Sequence, residues 1–184
     1  MLNKLMNLRK KKGFTLIELI VVLVIMAILA AAAIPTVMGY IENSRKAAYL
    51  ANVRAVYQAG QSAIAEGKAA GIAIQLISGK KDFYLEEVNS TDASKTMTFT
   101  KRVAALTGFP EANIEVYLQG SDNDGGFEAA AATGHAKDTY DVLVDSSKGE
   151  ILKIRGFYQN GKDKYVEFVP GGDNNVMDSA NSAG

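Results

Sequence analysis

The sequence predicts an α+β protein. A long N-terminal helix, membrane-spanning in its first half and amphipathic in its second, packs on an antiparallel sheet of about four strands. Three observations lead there. Residues 14–34, FTLIELIVVLVIMAILAAAAI, form an apolar run with a single ionisable group. Around residues 49–64 apolar side chains return at helical spacing. From Ile114 onward they alternate instead, in short runs separated by turn sequences.

The apolar run comes first. As a helix it would span about 31 Å at ~1.5 Å per residue, close to a hydrocarbon core of ~30 Å. Lys4, Arg9, Lys10, Lys11 and Lys12 precede it, and Arg45 and Lys46 follow only after a polar stretch. The positive-inside rule therefore puts the N-terminus in the cytoplasm and the remainder outside. All 20 acidic residues lie beyond Gly13, while five of the 20 basic ones lie before it, so the remainder is net acidic. That balance does not suggest a nucleic-acid binder, and no nucleic-acid contact is expected. There is no cysteine, which excludes disulfides, thiolate metal sites and cysteine nucleophiles.

Glu18 lies inside this run. One reading is a carboxylate that snorkels to the cytoplasmic interface, helped by the positive end of the helix dipole. An ordinary signal peptide cut near Ala30–Ala33, or a plain single-span anchor, would explain neither Glu18 nor the glycine after the basic run. A third reading supplies a counter-ion. If the chain is cut after Gly13, Phe14 becomes the N-terminus, and its amine lies about one helical turn from Glu18. The pair is strained within one chain but can form between neighbouring chains offset by a small rise. Because an unpaired buried carboxylate is strongly disfavoured, such pairing would select subunits in register. Glycine before the cut gives a protease access to the backbone.

KKKGFTLIELIVVLVIMAILAAAAIP resembles the class III leader and N-terminal helix of type IV pilins and pseudopilins. The matching positions are the basic leader, Gly13, Phe14, Thr15 and Glu18, with Pro35 at a place where members often carry a helix-softening proline. The resemblance covers about residues 8–60 and does not extend, at the level of motifs, beyond residue 66. It implies that a membrane-embedded prepilin peptidase cuts between Gly13 and Phe14 and methylates the Phe14 amine. It implies that an assembly ATPase and a membrane platform protein drive subunits from the lipid bilayer into a helical homopolymer. It also implies that Glu18 pairs with the Phe14 amine of a neighbour. The absence of cysteine departs from the many Gram-negative pilins that close a C-terminal loop with a disulfide.

The remaining elements follow in order. Pro35 loosens the preceding turn, and the helix then resumes. Leu50, Val53, Tyr57, Gly60 and Ile64, flanked by Tyr49 and Val56, give one apolar stripe, and Gly67 is the expected stop. The first half of the rod would protrude and the second pack on a head. In residues 67–110, AIQLIS and DFYLEEV fit strand or helix equally, whereas Phe99, Val103 and Leu106 mark a short helix ended by Gly108 and Pro110. Strands are expected at residues 114–119, 140–145, 150–158 and 165–169, with turns at 120–126, 146–149 and Asn160-Gly161. The expected core is Val142, Val144, Leu152, Ile154, Val166 and Phe168.

These readings divide the chain into a cleaved basic leader (1–13), a transmembrane and polymerisation helix (14–35), its amphipathic continuation (36–66), a globular head (67–170) and a polar, mobile tail (171–184). No cofactor, metal or catalytic residue is expected. Asp122, Asp124 and Glu128 in SDNDGGFE offer oxygen ligands suited to calcium, but their spacing departs from the EF-hand pattern, so a solvated turn is expected. His135 is read as a loop residue. The chain is then a non-enzymatic fibre subunit, held in the cytoplasmic membrane before assembly and extracellular after it, serving adhesion, motility or DNA uptake. A pseudopilin of a type II secretion or competence system shares this leader and is the alternative. A monomeric single-span tethered domain, binding module or enzyme, is the second.

Overall fold

The computed structural model describes residues 13–75, 77, 81–86, 96–119, 127–129, 135–160 and 165–172. They fall into two units, Met1–Asn43 and Ser44–Gly184. Helix α1, Leu16–Ala69, contributes its first part to one unit and its last part to the other.

In the first unit every described side chain from residue 13 to residue 41 is exposed. The helix there is apolar on all sides and has no single stripe to bury in its own chain. It is long and apolar enough to cross a membrane by length and composition. Pro35 lies inside it, so the Ala31 carbonyl has no backbone donor four residues on.

In the second unit α1 buries Tyr49, Val53, Val56, Ala59, Gly60, Ala63, Ile64 and Gly67. The predicted stripe is present, rotated slightly so that Leu50 is only half-buried. Gly67 does not stop the helix. Its α-carbon lies against Leu85, where an added Cβ would meet Leu85 Cδ2 at 3.2 Å. The helix ends two residues later at Ala69, and Gly71 beyond it takes φ 74. There Ile72 N donates to Gly67 O and Gly71 N to Lys68 O, both at 3.0 Å, the paired bonds of a Schellman end.

Helix α2, Phe99–Thr107, begins at the Thr98 cap and ends at Gly108, φ 77, as its sequence predicts. Before it, Phe83 and Leu85 are buried and Tyr84 bridges Thr98, which settles DFYL as extended. Residues 76, 78–80 and 87–95 of that stretch lie outside the described residues.

The strands are β1 Ile114–Gln119, β2 Tyr140–Asp145, β3 Glu150–Phe157 and β4 Tyr165–Phe168, in the spatial order β1-β2-β3-β4. β2, β3 and β4 are antiparallel neighbours, as expected, but β1 runs parallel to β2. The sheet is therefore mixed. Strands joined by a tight hairpin must be antiparallel, whereas residues 120–139 between β1 and β2 are long enough for a crossover.

One sheet face carries Val116, Val142, Ile154 and Val166 and joins the α1 stripe in a single core. Leu152 was expected there, but it is only half-buried and Ile151 takes the place. The register shows why: Leu143 pairs with Lys153 and Val144 with Ile151, so Leu152 is the extra residue of a β-bulge. The expected turn at 120–126, Gly161 and the tail from residue 173 lie outside the described residues.

At Gly156 helix and sheet approach closely. A Cβ there would meet Val53 Cγ2 at 2.5 Å and the Tyr140 ring at 3.3 Å. Valine is stiff at χ1 and cannot swing aside. Gly156→Ala should destabilise the chain by about 1–3 kcal/mol, read by urea unfolding of the detergent-solubilised protein with tyrosine fluorescence as the probe. Gly60→Ala should cost less, because the atom it meets, Ile151 Cδ1 at 2.6 Å, is the mobile end of a side chain.

Candidate functional site: the start of the apolar helix

Four sequence-predicted residues, Gly13, Phe14, Thr15 and Glu18, lie together at the beginning of α1. Phe14 is 85% exposed. Among the described residues, a Cβ at Gly13 would meet nothing within 4 Å. Packing among the described residues thus does not demand a glycine there.

Thr15 and Glu18 form a reciprocal cap. Thr15 N and Thr15 Oγ1 each donate to Glu18 Oε2 at 2.8 Å. Glu18 N donates to Thr15 Oγ1 at 3.3 Å. A threonine before the first helical residue and a glutamate three positions on satisfy two backbone N–H groups that the helix start leaves without partners. The carboxylate is also placed at the positive end of the helix dipole. The sequence reading missed this role for Thr15, although the T-x-x-E spacing ahead of an apolar run is its signature.

Of the weak metal candidates, only Glu128 lies among the described residues; Asp122 and Asp124 lie outside them. Glu128 is taken by Arg155, whose Nη2 lies 3.0 Å from Oε1 and 2.8 Å from Oε2. That arginine belongs to a row the sequence did not reveal. Glu115, Asp141, Arg155 and Glu167 are successive register partners across the sheet, so all four lie on the face opposite the apolar core. Arg155 Nε donates to Glu167 at 2.8 Å and Nη1 to the Phe127 carbonyl at 2.9 Å. The guanidinium also lies over the Phe127 ring, 4.2 Å from its centroid. His135 is half-buried, its ring tilted 34° to that of Phe157 with centroids 4.8 Å apart.

Comparison with known proteins agrees with the helix start. Residues 8–34 match the family described as the prokaryotic N-terminal methylation motif. A fimbrial protein of Pseudomonas aeruginosa is 44% identical over 61 residues, which is 33% of this chain and 40% of that protein. The type IV major alpha-pilin of Moraxella bovis is 33% identical over 101 residues, 55% of this chain and 62% of that protein. The match thus spans less than two thirds of each of these two relatives. The type IV major fimbrial protein FimA of Dichelobacter nodosus (strain VCS1703A) is 32% identical over 158 residues, covering 84% of this chain and 85% of that protein. No solved structure matches the chain. With a relative of that identity aligned over most of both sequences, the chain belongs to the type IV pilin family.

Proposed function

We propose that this chain is a structural subunit of a type IV pilus, cut after Gly13, methylated at Phe14 and polymerised through its apolar helix. The observation that carries the reading is a helix exposed and apolar on every side, bearing one carboxylate at its start. Water is a poor solvent for such a surface. Lipid can cover it before assembly, and the helices of neighbouring subunits can cover it afterwards. The fimbrial names of the relatives support a pilin over a secretion pseudopilin. The reading gives the chain a structural role and no catalytic one.

The path runs as follows. The basic residues hold the leader in the cytoplasm while residues 14–35 span the membrane. In the uncut chain the Glu18 carboxylate is satisfied by its own Thr15. Cleavage by a prepilin peptidase places a charged amine on Phe14, next to that cap. An incoming subunit's amine then finds a carboxylate already turned toward the helix start. Removal from water makes the pair sensitive to register, because a misplaced subunit leaves the charge uncompensated. An assembly ATPase and a platform protein supply the work of extraction. Gly13 supports the cleavage point, since among the described residues no neighbour requires a glycine there.

Mass spectrometry of the fibre subunit should find a chain beginning at methylated Phe14; an intact Met1 in assembled material would remove the reading. Gly13→Ala should leave uncut precursor in the membrane, detected as the heavier band on immunoblots, while normal processing would count against this cleavage point. Glu18→Ala should be processed normally yet reduce sheared fibre yield by an order of magnitude or more. A wild-type yield would show that the carboxylate does not govern assembly.

A further inference from the structure

Asp141 is the anomaly of the second unit. It is 0% exposed, and neither carboxylate oxygen has a hydrogen-bond partner among the described residues. Burying an unpaired carboxylate is among the most unfavourable arrangements a fold can hold. The cations around it are engaged elsewhere. Arg155, its register partner on β3, is committed to Glu167, Glu128 and the Phe127 carbonyl. Lys81, beside β1, lies 2.5 Å from Glu115 Oε2 and 2.8 Å from the Tyr117 hydroxyl. The other register partner, Glu115 on β1, has the same charge as Asp141.

One more group faces Asp141. His135 Nε2 lies 3.6 Å from Asp141 Oδ2, beyond hydrogen-bond range. Glu115, His135 and Asp141 each offer one ligand atom, and these atoms lie within 4.8 Å of one another. Two ligands held at about 2.0–2.2 Å around a tetrahedral centre sit about 3.4 Å apart, so the His135–Asp141 gap is already near a bridging value.

We propose that Glu115, His135 and Asp141 bind one divalent cation of the zinc class. One imidazole nitrogen and two carboxylates suit a borderline ion such as Zn²⁺, with solvent completing the coordination. Calcium requires six to eight oxygen ligands, and an imidazole is a poor substitute for one. The ion neutralises the buried carboxylate and fastens the connection that carries His135 onto β1 and β2 together.

The electrostatics agree with this geometry. In the metal-free protein, burial and then the neighbouring Glu115 push the Asp141 carboxyl up to about 7, against the weaker pull of Lys81 and Arg155. Burial holds His135 below its ordinary value, so its lone pair is available at neutral pH. Near neutrality the cation thus competes with a proton for Asp141, and binding releases that proton. The Lys81–Glu115 contact uses Oε2, and a carboxylate has two oxygens with which to serve a lysine and a metal together.

The test uses the full chain, untagged, purified in detergent and stripped of metal with a chelator that is then removed. Calorimetric titration with zinc chloride should give one saturable site per chain, with calcium chloride far weaker, and zinc should raise the unfolding temperature. His135→Gln and Asp141→Asn should each weaken zinc binding by at least the roughly 10–100-fold that loss of an outer-shell partner costs. Asp141→Asn removes the buried charge, so its metal-free form should unfold no earlier than the wild type, which separates loss of the site from loss of the fold. Three results would overturn the proposal: no saturable zinc binding by the wild type, zinc binding that survives both substitutions, or calcium binding as tightly as zinc.

Discussion

A carboxylate near the start of a helix that is apolar on all sides constrains everything that segment does. Inside its own chain Glu18 is held by Thr15, through bonds that also complete the first turn of α1. In the proposed assembly one charge serves two roles in succession. As a cap it lets the helix begin at Leu16, two residues after Phe14. As an acceptor, in the proposed assembly, it would take the amine that cleavage after Gly13 creates on Phe14. The cap lowers the cost of keeping the acid in an apolar segment without removing its charge, so its preference for a cation persists.

The second unit obeys a different rule, the two-faced sheet. Its core face packs on the residue 49–67 stretch of α1 through close contacts at Gly60 and Gly156. Its other face carries a row of charge. A buried row of that kind is stable only if each member finds a partner. Arg155 and Glu167 satisfy each other, Glu115 has Lys81 and Tyr117, and Asp141 has no hydrogen-bond partner among the described residues. The unevenness of the row, three acids and one arginine, singles out Asp141 as the member that needs a further partner.

How much was legible in the sequence follows from the range of the forces involved. Local chemistry was readable. Gly108 after an apolar helical repeat, the alternation in YDVLVD, and the glycine-phenylalanine junction against a full membrane span each act within a few residues. Non-local geometry was not. The parallel pairing of β1 depends on a crossover, and the bulge at Leu152 depends on how β2 and β3 settle against each other. Glu115, His135 and Asp141 come together only through that pairing, so His135 read alone looked like a loop residue. Gly67 is the instructive miss. The same lack of a side chain that ends helices also permits close packing, and here Leu85 occupies the space while Gly71 ends the helix.

The central claim is that the charge capping the helix in one subunit receives the new terminus of another. A cryo-electron microscopy map of the assembled fibre at side-chain resolution measures this directly. The account predicts the Phe14 nitrogen of one subunit within about 4 Å of the Glu18 carboxylate of a neighbour. A map in which each Glu18 contacts only its own Thr15, with the terminal amines turned to solvent, would contradict it.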